Sequence, residues 1–199
     1  LSSLTSKTLR FLTSPLDWVI SQSSLYLTPS TPSTTRCGPT TSLIVLYSLY
    51  KELTDIYICG SDGLKEEFQN AGFTNTNSKD AKNLVIGYDP DFSYKELTNA
   101  FSIALKAQHI IACNKERYFP GENNKLFPGC AAMVAPIEYC SNRTADIVVG
   151  KPNPQMLKLI CRKYNLKPNQ LLMVGDTYES DIQMAQNFGC YSAYFNANP

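Results

Sequence analysis

The most constraining feature of the chain is an order that repeats: a short apolar run, a turn, then an amphipathic stretch with helical spacing. Asp55-Ile56-Tyr57-Ile58-Cys59 reads as a buried strand. Gly60-Ser61-Asp62-Gly63 turns it into a helix with Leu64, Phe68 and Ala71 on one face, closed by Gly72. Residues 83–87 form a second apolar run, followed by an Asp89-Pro90 turn. Ser93 and Glu96 then stand as a capping box, in which each side chain satisfies a free N–H of the first helical turn. That helix should carry Leu97, Phe101, Ala104 and Leu105 inward. Residues 109–113 read as a third strand, with His109 packed in it. Residues 126–129 read as a loop, and residues 130–139 as a helix kinked at Pro136.

The alternation continues to the end of the chain. Residues 147–149 form a short strand. Asn153-Pro154 opens a helix with Asn as cap and Pro at the first position, and Met156, Leu157, Ile160 and Tyr164 on its inner face. Residues 171–174 make a strand that ends at Gly175-Asp176. Ser180 is placed to cap a last helix carrying Ile182, Ala185 and Phe188, closed by Gly189. Strands alternating with helices imply a parallel α/β architecture.

Residues 1–41 stand apart. Of the first 40 residues, 17 are Ser or Thr and Asp17 is the only acid. Pro29, Pro32 and Pro39 punctuate the stretch, so an irregular Ser/Thr/Pro-rich segment is expected there. A basic, hydroxyl-rich start also fits an organellar transit peptide, but a truncated coding region is the preferred reading. The net charge of +1 gives no electrostatic reason to expect nucleic acid or an anionic membrane as partner. The longest apolar run, residues 43–47, falls far short of the roughly 20 residues needed to span a bilayer. Seven cysteines without a C-x-x-C pair read as free thiols in a reducing, cytoplasmic setting. His109 is the sole histidine, which leaves no histidine-built zinc site.

Two segments carry chemistry: Val149-Gly150-Lys151-Pro152, and Met173 through Ile182 with Gly175-Asp176 and Asp181. Each follows the carboxyl end of a strand, where an open parallel sheet places its sites. Asp176 and Asp181 together suit a hard divalent cation. Mg²⁺ takes oxygen ligands and keeps several waters, so one or two carboxylates and a substrate phosphate suffice. Lys151 can supply a point charge to a phosphate oxygen. Singly, each residue has a plain alternative: Asp181 as an acid favoured by a helix N-terminus, Lys151 as a solvated loop lysine. Gly60-x-x-Gly63 lacks the spacing of a nucleotide-binding loop.

Six segments in order carry a resemblance: residues 55–72, 85–97, 110–120, 127–134, 150–157 (GKPNPQML) and 173–189 (MVGDTYESDIQMAQNFG). They are similar to successive blocks of the NagD-like branch of the haloacid dehalogenase superfamily, which includes 4-nitrophenylphosphatases and phosphoglycolate phosphatases. The resemblance implies a partial Rossmann-like core with a parallel sheet and an α/β cap of the C2 type. Residues 42–148 would be the cap and residues 149–199 the C-terminal part of the core. It implies a Mg²⁺-dependent phosphoric monoester hydrolase acting on a small phosphorylated substrate through an aspartyl-phosphate. Lys151 and Asp181 would be catalytic, Asp176 and Asp181 metal-binding, and Asn114, Gly129 and Lys151 substrate-binding. A homodimer through the cap is allowed. The chain departs from the family where it matters most. The D-x-D-G strand that brings the nucleophile is not found ahead of residue 42, and Cys113 and Glu116 stand where Thr and Asp are common. The expected outcome is an inactive fragment. The alternative is a non-catalytic phosphate- or Mg²⁺-binding relative that serves as an interaction module.

Overall fold

The computed structural model describes residues 18–21, 26–28, 53, 55–73, 78–121 and 125–195. The chain divides into two compact units, one of residues Pro39–Met156 and one of Leu1–Gly38 with Leu157–Pro199.

The first unit is built on a parallel sheet in the order β3-β4-β5-β8, with β3 at Ile56–Cys59, β4 at Asn83–Ile86, β5 at His109–Ala112 and β8 at Ile147–Val148. Side chains alternate between its faces. Tyr57, Cys59, Leu84, Ile86, Ile110, Ala112 and Val148 share a core with two helices, α2 (Tyr94–Ala104) and α3 (Ala131–Ser141). Ile56, Ile58, Val85 and Ile111 alternate with them and are equally buried, as are Leu64 and Phe68 of α1 (Asp62–Asn70).

Local chemistry sets the helix ends much as the sequence predicts. Ser61 Oγ accepts from the Leu64 N–H, and Gly72 follows α1 at φ +86°, where a Cβ would be strained. The capping box forms: Ser93 Oγ accepts from the Glu96 N–H at 3.3 Å, and the Glu96 carboxylate accepts from the Ser93 N–H at 3.1 Å. Pro136 lies inside α3.

Four readings need correction. Leu105 is exposed, because α2 ends at Ala104 and its buried stripe runs through Ala100, Ile103 and Ala104. His109 opens β5 exposed, while Ile110 to Ala112 are buried. Residues 126–128 are a strand, not a loop. β6 (Tyr118–Pro120) and β7 (Leu126–Pro128) pair antiparallel, and Phe119 stacks on Phe127 at 5.9 Å between ring centroids. This ribbon has only two strands, so its prolines need not donate into a wider sheet. The irregular reading of residues 1–41 fails at two places. β1 (Trp18–Ser21) and β2 (Tyr26–Thr28) pair antiparallel, and β1 also runs parallel to β9 (Leu171–Gly175). The rest of that segment, Asp17 and Cys37 included, lies outside the described residues.

The second unit therefore holds a sheet in the order β10-β9-β1-β2, with β10 at Tyr191–Tyr194. Leu171, Leu172 and Met173 are buried in its centre. Asn153 Oδ1 accepts from the Gln155 N–H at 3.3 Å at the start of α4 (Gln155–Tyr164), as its cap reading predicts. Among the described residues, no helix is long and apolar enough to cross a membrane.

Candidate functional site

In the second unit, β9 delivers Asp176 just past its carboxyl end. Asp176 is exposed, and its Oδ1 accepts from Thr177 Oγ1 at 3.1 Å. A helical turn with π-type bonding, Tyr178–Ile182, then leads into α5 (Gln183–Phe188). Ser180 is not the cap expected of it. The cap position is Thr177, whose hydroxyl makes no cap bond. Asp181 reaches back from within the turn, so that its Oδ2 accepts from the N–H of Thr177 itself at 3.2 Å. Asp181 is fully buried. Gly175 makes the room: a Cβ there would run into Asp181 Cβ and stand 2.5 Å from its Cγ and Oδ2. Asp176 and Asp181 are thus brought together around one threonine, one carboxylate facing solvent and the other folded beneath the turn. Both are oxygen donors, the chemistry a hard cation prefers. Among the described residues, no group of three or more His, Cys, Asp and Glu gathers to hold a metal without further ligands.

In the first unit, Asn114, Gly129 and Lys151 converge on the carboxyl ends of β5 and β8. The loop at residues 113–117 is held by backbone bonds from two sides. Cys113 O accepts from the Gly150 N–H at 2.7 Å, Glu116 O from the Ala131 N–H at 3.0 Å, and Arg117 O from the Gly129 N–H at 2.9 Å. Asn114 Oδ1 accepts from the Glu116 N–H at 3.0 Å, which shapes the loop from within. Gly150 and Gly129 permit this closeness. A Cβ at position 150 would lie 2.7 Å from Asn114 Cβ, and one at position 129 would run into the Glu116 carbonyl. Lys151, half-buried, begins the turn after β8, and its peptide bond to Pro152 is cis.

Two thiols beside this loop are inert. Burial pushes Cys113 up to about 12, with a smaller contribution from Cys130. Burial also pushes Cys130 up to about 11, against an opposing bond from the Asn114 backbone. Neither offers a thiolate near neutral pH. The six described cysteines are all free.

Three residues escaped the sequence reading: Thr177, Lys115 and Glu138. Thr177 was legible in part, as a hydroxyl next to Asp176. Lys115 Nζ stands 2.7 Å from Glu138 Oε1, a pair 23 residues apart with no local signal.

The family description that matches the chain is haloacid dehalogenase-like hydrolase, over residues 34–189. The sugar-phosphatase AraL of Bacillus subtilis (strain 168) is 34% identical over 139 residues, which are 69% of this chain and 51% of AraL. The chain thus spans about half the length of that relative. The p-nitrophenyl phosphatase from Archaeoglobus fulgidus superposes with a TM-score of 0.73 at 24% identity, covering 79% of this chain and 60% of that one. A putative nagD protein gives the same TM-score at 20% identity, over 99% of this chain and 72% of that one. These two likenesses are of fold, and they match the expected α/β class with its parallel sheet.

Proposed function

Because this chain belongs to the haloacid dehalogenase-like hydrolase family, we propose that it forms the cap and C-terminal core portion of a Mg²⁺-dependent phosphoric monoester hydrolase of the 4-nitrophenylphosphatase and phosphoglycolate phosphatase kind. The observation that carries this reading is the Gly175-Asp176 turn at the end of β9, with Asp181 folded back beneath it. In the family's reaction an aspartate takes the phosphoryl group as an acyl phosphate, which water then cleaves. The substrate is a small phosphorylated molecule, as phosphatase relatives suggest. Asp176, with its exposed carboxylate, is the residue to hold Mg²⁺, and Asp181 completes the acidic set from below. The cation, when bound, offsets the charge of the phosphate oxygens. By resemblance Lys151 meets a phosphate oxygen, and residues 42–148 act as the cap, with Asn114 and Gly129 toward the substrate. A cytoplasmic location belongs to the same reading, and a homodimer through the cap is compatible with it.

By itself the chain is proposed to be inactive. β1 lies beside β9 with Ser21 opposite Val174, and Gln22-Ser23-Ser24 follow. No aspartate stands in that stretch to serve as nucleophile. The same observation favours the second reading, a non-catalytic phosphate- or Mg²⁺-binding relative that serves as an interaction module.

The test is Mg²⁺-dependent release of 4-nitrophenol from 4-nitrophenyl phosphate by the purified 199-residue chain. Background rates are expected. Grafting a D-x-D-G strand and the family's second-motif segment ahead of the cap should restore turnover, and Asp176→Asn in that graft should remove it again. Failure of the graft to gain activity would favour the binding relative. Activity in the unmodified chain that vanishes in Asp176→Asn would reveal a nucleophile elsewhere, with Asp17 the first to examine.

A further inference from the structure

One carboxylate in the first unit joins the loop that carries Asn114 to the entry of β8, the strand that leads on to Lys151. Glu138 Oε1 accepts from Lys115 Nζ at 2.7 Å and from the Ala145 N–H at 2.6 Å. Lys115 adjoins Asn114. Ala145 leads into β8, and past the end of that strand the chain reaches the Gly150-Lys151 turn. From this we infer that Glu138 is a positioning residue, fixing the Asn114 loop and the Gly150-Lys151 turn in a single arrangement. The inference rests on the reading that those two segments meet the substrate.

β8 is short, and side chains reinforce its entry. That strand has two residues, paired to β5 at Ile111 with Ile147 and Ala112 with Val148, and backbone bonds carry the register on: the Asp146, Val149 and Gly150 N–H groups donate to Ile110 O, Ala112 O and Cys113 O at 2.8, 3.0 and 2.7 Å. A slip of one residue would turn every side chain of so short a strand to the other face, so side-chain bonds at its entry add to what the backbone ladder holds. Two acids guard the approach to it. Asp146 Oδ2 accepts from the Ile110 N–H at 2.7 Å, which locks the start of β8 to β5. Glu138 locks the preceding residue to α3 and takes Lys115 with it. Arg143 supports the same end, its guanidinium 3.6 Å from Asp146 Oδ2 while it donates to Ala104 O and Ala107 O at 2.6 and 2.7 Å past the end of α2.

The pair is partly desolvated, with side-chain exposures of 36% for Lys115 and 18% for Glu138. A charge-assisted bond sheltered to this degree is stronger than a rim ion pair, which salt and water weaken. Removing only the charge of Glu138 should therefore loosen both segments and leave the core of the unit as it is.

The experiment uses the purified 199-residue chain with Mg²⁺, titrated with inorganic phosphate by calorimetry, and amide exchange followed by NMR. Glu138→Gln and Lys115→Met should each weaken phosphate binding about tenfold and speed exchange at Glu116 and Gly150 by a similar factor. The double variant should be no worse than either single one, because both remove the same contact. Lys115→Arg, which keeps the pair, should bind like the unmodified chain. Protection at Ile58 and Val85 should persist and show the fold intact. Losses that add in the double variant, or unchanged exchange at Glu116 and Gly150 in Glu138→Gln, overturn the inference. If the unmodified chain binds no phosphate, the functional reading fails on its own, and exchange at those two amides still decides the role of Glu138.

Discussion

Gly175→Ala should destabilise the unit that contains it by about 2–5 kcal/mol. The added methyl would run into Asp181 Cβ and would stand 2.5 Å from its Cγ and Oδ2, where ordinary contact begins at 3.4 Å, so the whole side chain must move. Asp181 is fully buried and cannot swing into solvent. Its carboxylate must retreat by about 0.9 Å, the difference between 3.4 and 2.5 Å. Its bond from the Thr177 N–H, 3.2 Å long, would then stretch out of hydrogen-bonding range. Overpacking of this kind costs about 1–3 kcal/mol. Losing a bond to a charged group costs about 1.5–3 kcal/mol. The retreat that breaks the bond also relieves the clash, so the two do not add in full. Urea unfolding followed by far-ultraviolet circular dichroism measures the effect. With a slope of roughly 1–3 kcal/mol per molar, a 3 kcal/mol loss lowers the midpoint by about 1–3 M. A midpoint within about 0.3 M of the unmodified chain would refute the reasoning. So would an equal loss from Gly175→Ala in an Asp181→Gly background, where neither the Cβ nor the carboxylate that the methyl meets remains.

Two further outcomes follow from local chemistry. Ser93→Ala, which removes one half of the capping box of α2, should cost about 1 kcal/mol in urea unfolding and should spare α1. The buried thiols should make the chain sensitive to alkali. Burial holds the Cys113 proton to about 12, above the ordinary thiol value of 9.0, so its contribution is complete below pH 9 and is lost as pH rises toward 12. At pH 10.5 that loss is ~2 kcal/mol, and Cys113→Ala should show a flatter fall of stability between pH 9 and 12, with an unchanged slope counting against it.

The readings that held depend on neighbours in the chain. The capping box at Ser93 and Glu96, the Asn153 cap and the glycine that closes α1 are interactions within three or four residues, so their partners are visible in the text. The position of Asp176 was equally legible, because an apolar run followed by Gly-Asp places a carboxylate at the end of a strand. The last helix failed for an instructive reason. Ser180 has the right residue type for a cap, but the helical turn already begins at Tyr178, so Ser180 lies inside it, and Asp181 reaches back to the Thr177 N–H in the room left by Gly175.

By itself, then, the sequence determined which segments are strands and helices across residues 55–113 and 147–189, the parallel α/β class they imply, and the acids and lysine to suspect. Tertiary structure alone decided three things. It recruited Trp18–Ser21 from a hydroxyl-rich stretch, because a strand is defined by its partner and β9 lies about 150 residues away. It paired Tyr118–Pro120 with Leu126–Pro128, where prolines mask the signal and stacked phenylalanines supply it. It joined Lys115 and Ala145 through one oxygen of Glu138, a contact that exists only once α3 lies beside the ends of two strands. Local patterns record bonds between near neighbours. Register, burial and the meeting of distant charges depend on where the folded chain brings its remote segments together.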